Sequence, residues 1–98
     1  MGNYIISNEA LDDLTRIIHY GNKMFGEIQT AKYVAMFFDS FDKIAERPYT
    51  YESVGEIKTG CRRCVCGSDT IIFRVNGEHI EIVAIVGRQD MDIILNEI

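Results

Sequence analysis

Thr70-Ile71-Ile72-Phe73-Arg74-Val75-Asn76-Gly77-Glu78-His79-Ile80-Glu81-Ile82 is the stretch on which the fold turns. Two runs rich in β-branched and apolar residues flank Asn76-Gly77, and both of these tolerate the positive φ of a type I′ hairpin turn. Upstream, Gly67-Ser68-Asp69 forms a second turn, and β-formers continue back toward Glu56. Strands over 56–66, 70–75 and 79–86 then make a three-stranded antiparallel meander. In the last strand Ile80, Ile82, Ala84 and Val86 share one face, while Val83 and Ile85 take the other. That strand is expected to be central and covered on both sides.

Ahead of Pro48 the hydrophobic period is helical. Leu11, Leu14, Ile17, Ile18 and Phe25 predict a helix over 8–24 with Ser7 as its N-cap. Glu9, Asp12 and Asp13 sit where the helix dipole favours carboxylates. Gly26 breaks the pattern, and a second helix runs from Glu27 to Glu46, closed by Arg47-Pro48. Its apolar residues form two stripes. Ile28, Ala31, Ala35, Phe38, Phe41 and Ala45 make one; Tyr33, Phe37 and Ile44 make the other. The second stripe has two readings: core packed by a neighbouring element, or a partner surface, since so small a chain has few elements to cover it. Tyr4-Ile5-Ile6 can add a first strand to the sheet edge, and residues 92–98 suggest a closing helical turn. The expected fold is α+β: an N-terminal helical hairpin packed on a twisted antiparallel β-sheet in β-α-α-β-β-β order, as one domain over 1–98.

No apolar run approaches the ~20 residues a membrane span requires. The N-terminus lacks a basic segment followed by an apolar one, so a cytoplasmic location is expected. Three Cys is an odd number, which argues against a disulfide framework. The net charge of −5 argues against broad nucleic-acid binding. Basic density is confined to the middle of the chain, in Lys58, Arg62, Arg63, Arg74 and Arg88.

Cys61, Cys64 and Cys66 are spaced C-x-x-C-x-C, but a structural zinc needs four ligands. Strand alternation also turns Cys61 away from Cys64 and Cys66. No metal and no cofactor are expected. His79 stands beside a turn as a lone imidazole, and no Ser/His/Asp set, phosphate-cradling Gly loop or HExxH occurs, so no catalytic residue is assigned. The arginines have two readings. They could converge on an anionic surface through their planar guanidinium forks, or they could form cross-strand ion pairs with Glu78 or Glu81. Alternation puts Arg62 and Arg63 on opposite faces in either case.

Taken in order, several segments resemble the RelE/ParE superfamily of toxin–antitoxin toxins, and its ParE branch more closely. They are Ser7-x-x-Ala10-x-x-Asp13-Leu14, Tyr20 with Phe25-Gly26-x-x-Gln29-x-x-x-Tyr33, and Phe41-x-x-x-Ala45-x-x-Pro48. Glu56-Ile57-x-x-Gly60-x-Arg62-Arg63, Gly67-Ser68-x-x-Ile71-Ile72-Phe73 and Ile85-Val86-Gly87-Arg88-Gln89-Asp90-Met91-Asp92 follow. The resemblance implies the same hairpin-on-sheet fold and a small toxin neutralised by a co-expressed, ParD-like antitoxin in a hetero-oligomer. ParE-like members act on DNA gyrase; RelE-like members cleave mRNA on the ribosome.

Gln89 and Asp90 follow Arg88 where a nuclease would show basic residues, and no Tyr follows Tyr51. A gyrase-directed toxin that is not an enzyme is therefore favoured over a ribosome-dependent endoribonuclease or a non-toxic interaction domain. Arg62, Arg63, Arg74, Arg88, Asp90 and Asp92 are the expected target-binding residues. Tyr33, Phe37 and Ile44 are expected to meet the antitoxin. The chain departs from the family in its acidity, in Cys61 where an aromatic is usual, and in Asp69-Thr70 where a His is usual.

Overall fold

The structure, a computed structural model, describes residues 3–96, without the side chains of Asp92 and 94–96. The elements run β1 (Asn3–Ile6), α1 (Asn8–Phe25), α2 (Glu27–Glu46), a 3₁₀ turn (Pro48–Thr50), β2 (Glu52–Ser53), β3 (Cys61–Cys66), β4 (Asp69–Asn76), β5 (His79–Gly87) and α3 (Arg88–Asn96). The strand order is β1-β5-β4-β3-β2. The β3-β4-β5 meander is antiparallel as expected, and β1 joins it parallel to β5, so the whole sheet is mixed. Among the described residues no helix is long and apolar enough to cross a membrane.

The opening motif docks α1 onto β5. Ser7 Oγ accepts from the Ala10 amide at 3.0 Å, capping the helix, and donates to the Val83 carbonyl at 2.8 Å. β1 ends at Ile6, opposite Ile82, so the next part of β5 has no neighbouring strand on that side. Asp13 fills the gap by accepting from the Ile85 amide at 2.8 Å. Ala10, fully buried, leaves room for the close approach, and Leu14 enters the core. Ser7, Ala10, Asp13 and Leu14 thus form a helix-to-strand clasp that satisfies backbone groups otherwise orphaned in the interior.

Two cores form, one on each face of the sheet. The helix-side core holds Phe37, Phe41 and Ile44 of α2 with Ile71, Phe73, Ile80, Ile82 and Ile85 of the sheet. The opposite face is closed by Val54 from the β2–β3 loop and Met91 from α3, over Cys61, Ile72, Val83 and Ala84.

Five expectations change. Phe73 pairs with Ile82 and Ile72 with Ala84, which leaves Val83 as an extra, bulged residue. The bulge shifts the phase, so Ile80, Ile82 and Ile85 share the helix side while Val83 and Ala84 face away. The strand expected over 56–66 is regular only from Cys61. Before it the chain folds into turns, with Ile57 and Lys58 amides donating to the Val54 carbonyl at 2.9 and 3.0 Å. The hairpin centre lies one residue later than read: Asn76 pairs with His79, and only Gly77 has positive φ, +65°, the pattern of a type II′ turn. The closing helix begins at Arg88 instead of residue 92.

The fifth change concerns α2. Its buried arc runs through Phe37, Phe41, Ile44 and Ala45, whereas Ile28 is 76% and Phe38 41% exposed. The stripe expected to meet a partner supplies core, because heptad-like spacing of residues 30, 37, 41 and 44 presents those positions to the sheet.

Candidate functional site

The β3 backbone places Arg62 on the helix side and Arg63 on the far side, as alternation requires. Arg63 lies opposite Glu52 of β2 and is held by it: Nε and Nη2 both donate to Oε2, at 3.2 and 2.9 Å. Arg74 lies opposite Glu81 of β5, and its Nε donates to Oε1 at 2.7 Å. Both arginines therefore form the cross-strand ion pairs of the alternative reading, Arg74 with a residue named for it.

Arg62 has a different environment. Its Nη1 donates to the Tyr51 carbonyl at 2.7 Å, and its Cζ lies 5.2 Å from the centroid of the Tyr49 ring. No carboxylate pairs with it among the described residues. The segment that receives it is well anchored. Pro48 starts the 3₁₀ turn, the Thr50 hydroxyl donates to the Arg47 carbonyl at 2.8 Å, and Tyr51 meets Phe73 edge-on at 5.7 Å. Tyr49 itself stands 70% exposed beneath the guanidinium. Tyr49 and Tyr51 were not singled out in the sequence; their only signal is the aromatic pair that follows Pro48.

Arg88 opens α3 at the opposite end of β5, where its amide donates to the Ser68 carbonyl at 2.8 Å. From Glu81 to Gly87 the strand advances about 20 Å at ~3.3 Å per residue, so Arg88 and Arg74 do not share a site. With Tyr20, Gly67, Ser68, Gln89 and Asp90, Arg88 lines a shallow cleft of about 750 Å³. Asp92 falls on α3, but its side chain lies outside the described residues. The six residues expected to bind a target are thus spread over both faces and both ends of the sheet. His79, paired with Asn76 and Asn3, is separated from Arg62 by the whole of β4.

A more enclosed groove of about 730 Å³ opens between the outer halves of the two helices and the β3–β4 turn. Tyr20, Phe25, Gln29 and Tyr33, which carry the resemblance in this part of the chain, all line it. Tyr33 is its structural centre. Its hydroxyl donates to Asp69 Oδ2 at 2.7 Å and accepts from the Ser68 amide at 2.9 Å. Burial and then the Asp69 bond push its pKa up to about 12. Gly67, at φ +59°, is obligatory here, since a Cβ would come within 2.5 Å of the Tyr33 ring. Of the expected antitoxin contacts, Tyr33 is half-buried at the groove, whereas Phe37 and Ile44 are fully buried in the helix-side core. Tyr20 at 59%, Met24 at 55% and Phe25 at 66% provide the exposed apolar surface around the hairpin tip.

The thiols divide as expected, Cys61 to the far core, Cys64 and Cys66 to the helix side. Burial pushes all three up from their ordinary range, which suppresses thiolate.

Comparison with known proteins bears on this geometry. The family model described as ParE toxin of type II toxin-antitoxin system, parDE, matches residues 4–93. Toxin ParE1 of Caulobacter vibrioides is 31% identical over 86 residues, 88% of each chain. Toxin ParE1 of Mycobacterium tuberculosis is 30% identical over 90 residues, 92% of each. Among solved structures, one titled as the chromosomal ParDE TA system from P. aeruginosa superposes with a TM-score of 0.77 at 19% identity, covering 89% of this chain and 96% of that one. That last likeness is one of fold.

Proposed function

The chain belongs to the ParE toxin family of type II toxin–antitoxin systems, and we propose that it arrests growth by binding DNA gyrase as a protein ligand, held in check by a ParD-like antitoxin. The observation that supports binding over RNA cleavage is the dispersal of the arginines. A ribonuclease must gather cations and a proton acceptor around one phosphate. Here Arg63 and Arg74 are committed to Glu52 and Glu81, Arg88 stands at the far end of β5, and the Tyr33 hydroxyl is committed to Asp69 and the Ser68 amide. Arg62 on the helix side, and separately Arg88 with Asp90 at the start of α3, remain available to a protein target. The two parties meet in the cytoplasm, where gyrase and a co-expressed antitoxin both reside.

The antitoxin is assigned to the hairpin groove. Tyr20, Phe25 and Tyr33 offer it an aromatic floor, and an amphipathic helix or extended segment can fill the groove with apolar side chains. The complex is then a hetero-oligomer. The decisive experiment adds purified toxin to gyrase and relaxed plasmid and follows supercoiling, alongside mRNA integrity in a translating extract. Loss of supercoiling with intact mRNA is the expected result. Unaffected supercoiling together with ribosome-dependent mRNA cuts would replace this reading with the ribonuclease.

A further inference from the structure

We infer that Arg62, laid on the Tyr49 ring and aimed by the Tyr51 carbonyl, is a preformed clamp for one carboxylate side chain on the protein target. This rests on the reading of the chain as a protein-binding toxin. A guanidinium carries five donors in a planar fork, and only one of them is used here within the described residues. The other paired arginines of the sheet show what this chain does with such a fork when an acid is close: Arg63 and Arg74 each take a glutamate. Arg62 is instead oriented by groups that fix its position without neutralising it. Its aromatic support is exposed, although the turn that carries it is tied to the core through Tyr51 and Phe73. Arginine and tyrosine are residue types on which binding energy concentrates. An incoming carboxylate can accept two parallel N–H bonds from the fork, and side-chain ordering has already been completed before it arrives.

The anion favoured is a single carboxylate rather than a phosphate backbone. The chain carries a net charge of −5, and Glu46 stands exposed at the end of α2, next to the turn that holds Tyr49. An extended polyanion would meet those charges, whereas one carboxylate pairs locally with Arg62.

The test measures half-inhibition of gyrase supercoiling by Arg62→Lys, Tyr49→Leu and a charge control, Lys32→Gln, with thermal melting of each. Arg62→Lys keeps the charge and loses the fork, so the half-inhibitory concentration should rise about tenfold or more, equivalent to ~1.4 kcal/mol. Tyr49→Leu should raise it a few-fold, and Lys32→Gln should leave it unchanged. Growth arrest on induction is read in parallel. If the parent chain arrests growth but spares gyrase, the gyrase reading falls, and the clamp stands or falls on whether Arg62→Lys and Tyr49→Leu relieve the arrest. The clamp is overturned if both variants act like the parent. It is also overturned if they lose only antitoxin affinity, or if their loss tracks binding to naked DNA or RNA.

Discussion

Arg62 and Arg63 are neighbours in sequence with identical side chains, and the sheet sends them to opposite faces with opposite outcomes. On the far face Arg63 meets Glu52 and Arg74 meets Glu81, so charge is neutralised within the fold. On the helix side Arg62 meets a backbone carbonyl and a tyrosine ring, so its charge is held in place and left available. The apolar layers differ in the same sense. The helix side is built on Phe37, Phe41 and Phe73, while the far side closes with a loop valine, a methionine and small residues. One face carries the larger apolar core and also the candidate contact; the other is a lighter cover made of short elements.

The sharpest test of that asymmetry compares adjacent core residues of β4. Phe73→Ala on the helix side should cost about 4 kcal/mol, near the middle of the range for a buried aromatic. Ile72→Ala on the far side, where the residue is 6% exposed under a loop and a short helix, should cost about 2 kcal/mol, because that cover can settle into the space. Denaturant unfolding of both variants reads the difference. Equal losses would mean that the two layers support the fold alike. A domain of this size has only ~5–15 kcal/mol in all, so the Phe73 change alone removes a large share of it.

The sequence made the hairpin, the meander and the opposed faces of Arg62 and Arg63 legible because each follows from local turn chemistry or from a period of two. Three features escaped it for physical reasons. Residues 82–86 read Ile-Val-Ala-Ile-Val, so no polar residue marks where the Val83 bulge changes phase. Both stripes of α2 are apolar, so pattern alone could not say that Phe37 and Ile44 go inward while Ile28 and Phe38 go out. The Arg62–Tyr49 contact joins segments eleven or more residues apart through the turn after Pro48, whose Tyr51 packs on Phe73 from a distant strand. Gln29 and Tyr33 carried the resemblance without showing what they build; the structure places them on one groove.

The groove adds a pH dependence to the helix side. The folded pKa of Tyr33 stands at about 12, above its ordinary 10.0, so folding favours the neutral phenol. Its contribution is complete below pH 10 and is lost as pH rises from 10 toward 12. The parent chain should therefore lose thermal stability steeply across that window. Tyr33→Phe should start about 1 kcal/mol lower at neutral pH, having left the Ser68 amide and Asp69 without their partner. It should then fall less steeply, since Tyr4 and Tyr51, whose burial also raises them, remain to titrate in both proteins. Melting curves from pH 8 to 12 give the two slopes, and parallel slopes would remove Tyr33 as the titrating group.

The smallest effect belongs to the far-face ion pairs, and it bears most directly on the comparison. Glu52 is 65% exposed in its pair with Arg63, so water screens the attraction and little stability depends on it. Arg63→Gln should change stability by less than about 1 kcal/mol, with the shift shrinking further in added salt. Glu52→Gln leaves Arg63 charged but unpartnered, the condition in which Arg62 is found. If an available guanidinium on this sheet is enough to engage the target, Glu52→Gln should strengthen gyrase inhibition. If the support of Tyr49 and Tyr51 is what matters, inhibition should stay at the parent level while stability again moves by less than about 1 kcal/mol. The structure favours the second result, because Arg63 lacks both the ring beneath it and the carbonyl that aims its neighbour.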